Sequence, residues 1–264
     1  MYDFSYKKAA SADEAASLFS GSDDAVFMAG GMTLIPTLKQ RLASPSDVID
    51  LGGASSLAGI SAGGGVVTIG AMTTHAAVAG SAEVKGAIPA LAALAGGIGD
   101  PAVRHRGTIG GSVANNDPAA DYPAAVLALG ATIHTNKREI AADDFFTGMF
   151  ETALEEGELI TKFTFPVPEK AAYSKFPNPA SRYAIVGVFV ARTSGGVRVA
   201  VTGAGPGVFR AADMESALSG NFSPDAISGV KVDASGLNSD IHASAEYRAH
   251  LVGVMAKRAV AAAS

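Results

Sequence analysis

Two short words in this chain could hold an anion without any charged side chain. "AGGMT", residues 29–33, and "TIGGS", residues 108–112, each set a hydroxyl-bearing residue within two positions of a glycine pair. A glycine pair admits φ > 0 and lets a ligand come close to the main chain. Successive backbone N–H groups in such a turn make a concave anion site, and a following helix adds its positive end. Two such turns facing each other could grip a diphosphate, one phosphate each. A lone glycine pair is also no more than a turn, and the pairs at 52–53, 63–64 and 195–196 read that way.

Other chemistries are excluded by what is missing. No G-x-x-x-x-G-K-[ST] and no G-x-G-x-x-G after a strand is present, so neither a P-loop nor a Rossmann site is indicated. The chain has no cysteine, which removes disulfides, thiolate nucleophiles and any iron–sulfur cluster ligated by this chain. No Ser-His-Asp, paired-carboxylate or metal-ligand grouping stands out. His75 follows a helix cap and reads as structural, and His134 and His242 have no metal-ligand company. Arg104, His105 and Arg106 form a basic cluster that reads as a solvated patch. Net charge is −5, which argues against a nucleic-acid partner. Main-chain amides need no net positive charge, so an anion site of the kind above remains compatible with it.

Positioning two glycine words needs a scaffold, and 264 residues at 48% hydrophobic suffice for two domains. Ser11 and Glu14 predict a capped helix to Phe19. A strand at 25–31, a helix at 33–43 with Thr33 as N-cap, and a strand at 47–53 follow. A strand at 66–70 leads into a helix capped at Thr73 or Thr74, then helices at 87–97 and 122–130. "ATIHT", "REIAA" and "ELITKFTFP" alternate as strands. The prolines of 166–180 mark a break. Beyond it, 183–205 reads as a hairpin, with helices at 211–218, 224–229 and 244–262. The N-terminus lacks a signal pattern and no apolar run reaches membrane length, so the expected location is cytoplasmic.

Taken with their flanks, "FMAGGMTLIPTLKQRLASPSDVIDLGG", "IGAMTTHAAV", "RHRGTIGGSVANNDPAADYPAAVLALGA" and "DIHASAEYRAHLVGVMAKRAV" resemble one family in this order. It is the FAD-binding medium subunit of molybdenum hydroxylases, of the carbon monoxide dehydrogenase type, with a PCMH/VAO-like flavin domain. The resemblance implies an α+β fold: a two-lobed PCMH-type FAD-binding domain (lobes 1–54 and 55–168), then a C-terminal domain (169–264) of antiparallel β-sheet plus helices. It implies phosphate contacts from Ala29, Gly30, Gly31, Met32 and Thr33, and from Thr108, Ile109, Gly110, Gly111 and Ser112. Met32 stands where the family usually has histidine or asparagine, so FAD would be non-covalent. Asp121 would bind a hydroxyl of the FAD sugar or ribityl chain, while Asp117 beside it either shares that task or caps the turn. Asn115 and Asn116 depart from the family's usual pair.

Lys175 would stabilise negative charge on the reduced ring, and Tyr183 would pack on or gate its face. A solvated lysine and an ordinary strand tyrosine are equally open readings there. No side chain of the chain itself is expected to be catalytic and no metal is expected on it. The implied function is electron transfer. Electrons would come from [2Fe–2S] clusters on a small subunit, with molybdopterin on a large subunit, and leave to an external acceptor. A dimer of heterotrimers, with peripheral membrane association through the partners, completes the expectation. Two rivals stay open: a self-sufficient PCMH-type flavin oxidoreductase, and a cofactor-free scaffold subunit.

Overall fold

Three main sheets, each drawn from its own stretch of chain, set the positions of everything else, beside a two-stranded hairpin. The structure is a computed structural model and describes residues 1–263. The first sheet belongs to β1 (Ser5–Lys8), α1 (Ala12–Ser20), β2 (Ala25–Met28), α2 (Leu34–Lys39) and β3 (Asp47–Asp50). Its order is β1-β3-β2, with both pairs parallel, so helices must carry the crossovers. The Ser11 cap predicted for α1 is present, with the Glu14 carboxylate reaching back one residue past the N-cap. Ser11 Oγ accepts from Glu14 N at 3.1 Å, and Glu14 Oε2 accepts from Ala10 N at 2.7 Å. The helix after the first glycine word is shorter than predicted: Arg41, at φ 61°, lies just beyond it. Thr33 holds the N-cap position, but its side chain makes no cap bond.

The second sheet begins with β4 (Ile60–Gly63) and β5 (Val66–Gly70). Six helices follow: α3 (His75–Gly80), α4 (Ala82–Ala87), α5 (Pro89–Gly96), α6 (Pro101–Arg106), α7 (Ile109–Asn115) and α8 (Tyr122–Ala128). The chain returns through β6 (Thr132–Thr135), β7 (Glu139–Ala141), α9 (Ala142–Phe145), the hairpin β8 (Phe146–Gly148) and β9 (Glu151–Thr152), and β10 (Ile160–Pro166). The order β4-β5-β10-β6-β7 is antiparallel throughout. The helix predicted over 87–97 is α5, and the unpredicted α4 precedes it. Ile88 precedes Pro89 and is forced out of the helical region, to φ −137° and ψ 71°, so α4 and α5 are separate.

The second glycine word is not the turn its composition suggests. It is the first turn of α7, capped by Thr108, whose Oγ1 accepts from Gly111 N at 3.1 Å. Neither Gly110 nor Gly111 has a positive φ. Ile109 and Val113 are fully buried, so this run does contribute to a core. Its glycines serve packing: a Cβ on Gly110 would sit 2.6 Å from Ala71 Cβ.

The third sheet is β11 (Lys170–Pro177), β12 (Ala184–Thr193), β13 (Gly196–Thr202) and β14 (Phe209–Arg210), antiparallel in that order. Helices α10 (Ala212–Gly220) and α11 (Ala245–Ala262) follow. The predicted hairpin is β12–β13, whereas the helix expected at 224–229 is a 3₁₀ turn, Pro224–Ile227. The expected break hides a strand. Prolines bracket 170–177 but leave its interior free to pair, and β11 pairs with β12 along its length. Both faces of this sheet are covered. Ala171, Phe189, Ala191 and Ala200 pack into the core of the second lobe, while Ala172, Val186, Val188 and Val190 pack under α11 and α10. The segment before α8 is stitched to the same sheet. Ala184 N donates to Ala119 O at 3.1 Å, Gly203 N to Pro118 O at 2.8 Å, and Thr202 Oγ1 to Ala120 O at 2.6 Å.

Candidate functional site

A cavity of about 720 Å³ opens where the two lobes and the third sheet meet, within the usual size of a cofactor site. Residues 29–33 form one wall and Gly107, Thr108 and 110–112 another, with 154–160 and 181–183 among the rest. The first glycine word leaves β2 and bends sharply, with Gly31 at φ 75°. A Cβ on Gly31 would sit 2.6 Å from Ile35 Cδ1, and one on Gly30 would overlap the Arg106 carbonyl oxygen. Glycine is required at both places, once for conformation and once for close approach. The N–H groups of Gly30, Gly31, Met32 and Thr33 have no acceptor among the described residues. This is a row of adjacent donors at a left-handed bend, the geometry of a main-chain anion nest.

The second glycine word meets the first, as expected: a Cβ on Gly111 would lie 3.3 Å from Ala29 Cβ. Its amides, however, are engaged. Ile109 N donates to Thr73 O at 3.1 Å and Gly110 N to Ala71 O at 2.8 Å. Gly111 N donates to Thr108 Oγ1, and Ser112 N to Thr108 O at 3.0 Å. The expectation of two facing sets of free amides is therefore corrected. One wall offers N–H donors; the other offers a smooth glycine surface and the Ser112 side chain. Thr108, Gly110, Gly111 and Ser112 line the cavity, but the Ile109 side chain points into the core and does not reach it.

Of the remaining expected residues, Tyr183 lines the cavity half-exposed. Its phenol is shifted up by burial and then by the charges of Asp117 and Asp121. Asp117 caps locally, with Oδ1 accepting from Ala119 N at 2.9 Å. Asp121 reaches the cavity wall, but its carboxylate is buried and already engaged by Tyr173 and Lys175. Burial pushes its pKa up, against the opposing pull of the Lys175 charge and the Tyr173 hydroxyl. Lys175 lies behind the cavity wall rather than in it. Its ammonium donates to Gly97 O and Arg182 O, both at 2.9 Å, besides pairing with Asp121.

Tyr173 escaped the sequence reading, and His75, read as structural, is also part of the cavity wall. His75 is 4% exposed and lines the cavity beneath Gly107, whose Cα leaves no room for a Cβ against Nε2. Its Nδ1 is buried without a partner among the described residues, and burial, then Arg104, lowers its pKa to about 4. Nothing local signals this. Tyr173 could have been found from its partner, because an isolated glycine inside β12, Gly187, leaves space for its hydroxyl. Arg104 is also less solvated than expected, since Nη1 donates to Ile98 O and Gly99 O, both at 2.9 Å. Asn116 is buried at φ 43° and ties α7 to the β8–β9 hairpin through Gly148 O and Glu151 O. No group of three potential metal ligands occurs among the described residues.

A two-lobed α/β unit with a main-chain anion nest in its cleft, followed by an antiparallel sheet under helices, is the architecture of a two-module flavoprotein. Residues 2–168 match the family described as "FAD binding domain in molybdopterin dehydrogenase", and residues 171–263 the "CO dehydrogenase flavoprotein C-terminal domain". The chain belongs to this family of FAD-binding subunits of molybdenum-dependent oxidoreductases. It is 36% identical to the nicotine 6-hydroxylase medium subunit of Paenarthrobacter nicotinovorans, over 97% of this chain and 95% of that protein. It is 34% identical to the carbon monoxide dehydrogenase medium chain of Hydrogenophaga pseudoflava, covering 98% and 96%. A crystal structure of the Cu,Mo-CO dehydrogenase superposes with a TM-score of 0.90 at 34% identity, covering 99% of this chain and 98% of that one.

Proposed function

We propose that this chain is the flavin-carrying electron-transfer subunit of a molybdenum hydroxylase complex. Electrons would arrive from [2Fe–2S] clusters on a small partner chain and leave to an external acceptor, while molybdopterin and substrate oxidation reside on a large partner chain. The absence of cysteine supports this division, because clusters need thiolate ligands from elsewhere. Relatives named for nicotine and for carbon monoxide stand at similar identity, which supports substrate choice by another chain. A dimer of such heterotrimers, a cytoplasmic location and membrane contact only through partners belong to the same reading. No helix among the described residues is long and apolar enough to cross a membrane. The units 1–54, 55–168 and 169–264 each enclose one main sheet, and we take them as the structural divisions.

The observation that carries the proposal is the row of free amides from Gly30 to Thr33 at the wall of a dinucleotide-sized cavity. The residues fit FAD. Gly31 supplies a cradle that a Cβ would fill, and charge-assisted bonds from N–H to phosphate are about twice as strong as neutral ones. When bound, the flavin supplies reversible two-electron acceptance. The chain's own residues bind and orient. Gly30 to Thr33 would hold phosphate oxygens, Ser112 would add a hydroxyl, and Tyr183 would cover the exposed side. Met32 offers no nucleophilic ring nitrogen, so no histidyl link forms at that position, and we take the flavin as non-covalent. The test is to purify the full chain and titrate it with FAD. One flavin per chain, without turnover by the chain alone, is expected. A chain that takes up no FAD would overturn the reading, and unaided substrate turnover would favour the self-sufficient enzyme.

A further inference from the structure

We propose that Lys175 is a positioning residue. Through Asp121 and two main-chain carbonyls it clasps the 178–183 loop against the second lobe, and so holds Tyr183 at the cavity wall. This rests on reading the cavity as the flavin site, but it assigns Lys175 no contact with the ring. Tyr173 and Lys175 are two apart on β11 and point to the same face, toward the second lobe. In register, Lys175 lies opposite Gly187. A Cβ on Gly187 would overlap the Tyr173 hydroxyl, so the glycine lets the phenol lie across the sheet and donate to Asp121 Oδ1. Lys175 Nζ sits 3.0 Å from the same oxygen and 3.1 Å from Oδ2. An ammonium has three donors. Asp121, Gly97 O and Arg182 O occupy them all, and the lysine side chain is 10% exposed.

The acid and the loop are both unusual in ways the clasp explains. Asp121 stands at the N-cap of α8, where a carboxylate normally accepts from the helix, yet it makes no cap bond. Its side chain serves the tertiary contact instead. Arg182 adopts φ 63°, a left-handed conformation that is unfavourable for a non-glycine residue. Such strain persists where surrounding bonds over-determine it, and it gathers at functional sites. Here the Arg182 amide donates to Asn178 O at 2.9 Å, its carbonyl accepts from Lys175, and its Nη1 reaches Gly99 O at 3.3 Å. The next residue is Tyr183. Gly97, held by the same ammonium, precedes Ile98 and Gly99, which form the neighbouring part of the wall.

The test is hydrogen exchange on the full chain, with and without FAD, combined with the rate of FAD release. In Lys175→Met, exchange at 97–100 and 178–183 should quicken about tenfold, and FAD should leave about tenfold faster, with β12 and β13 protected as before. Lys175→Arg should recover part of both effects. Adding Asp121→Asn to Lys175→Met should worsen neither, since the acid acts on the loop through the lysine. Unchanged exchange at 178–183, with a shifted flavin spectrum, would overturn the clasp in favour of direct ring contact. Exchange rising evenly over the whole sheet would also overturn it, in favour of general stability. If Lys175→Met does not fold, Lys175→Gln, which can keep one carbonyl bond, is read in the same way. Exchange in the flavin-free chain reports the clasp even if the chain binds no FAD, so the two readings fail separately.

Discussion

Residues 29–33 and 108–112 are near-synonyms in sequence and opposites in structure. Both are glycine pairs next to a hydroxyl, both line the cavity, and they touch each other. The first leaves its amides open, whereas the second is the capped first turn of α7 with its amides engaged. The difference teaches that a glycine pair can serve a ligand by conformation or by absence of bulk. Gly31 does the former, through φ 75°, while Gly30, Gly110 and Gly111 do the latter.

The largest way to break that comparison is Gly30→Ala. The methyl would collide with backbone, 2.6 Å from Arg106 C as well as on its oxygen, so the two segments must part. We expect a loss of about 4 kcal/mol, above the usual 1–3 for overpacking because backbone cannot rotate away, with FAD uptake abolished. Parent-like denaturant midpoint and FAD affinity would show that close contact of the segments is immaterial. The next effect concerns the support beneath the second segment. His75 has a folded pKa of about 4 against 6.5 unfolded, so the unfolded chain binds more protons between those values. Its contribution is therefore complete above pH 6.5 and is lost as pH falls toward 4, at most roughly 3 kcal/mol. Urea midpoints across that window should flatten in His75→Phe.

Gly31→Ala is expected to cost about 1–2 kcal/mol of stability for its left-handed φ, with Gly31→Asn recovering part. Calorimetry of the pair checks it, and equal melting for all three proteins would deny the bend its importance. Thr108→Val removes the cap of α7 at about 1 kcal/mol, yet FAD affinity should fall less than about threefold, because the second segment's amides are already engaged within the protein. A larger loss by fluorescence titration would restore that segment to the phosphate role. Met32→Ala, at the small end, should leave affinity within about twofold, since the proposed contact uses the main chain and not the thioether.

Much of the fold was legible. The Ser11 cap of α1, the β12–β13 hairpin and the long α11 each depend on neighbours in sequence, and each formed where local chemistry placed it. β11 was obscured because prolines at its ends look like a linker, although only interior prolines would block pairing. The site was legible in its glycines and in Tyr183. The bonds of the Lys175 ammonium to the carbonyls of Gly97 and Arg182 were not legible, nor was the place of His75 at the cavity, because both depend on segments distant in sequence.

By itself, the sequence determined that this chain ligates no cluster through thiolates, that it carries two similar glycine words, and that position 32 holds no histidine. Only the tertiary structure decided which of the two words keeps its amides free. The acceptors that engage Ile109 and Gly110 are the carbonyls of Thr73 and Ala71, distant in sequence and brought close by folding. Each N–H carries one donor, and whether it remains available depends on every carbonyl the fold delivers to it, which no local pattern encodes.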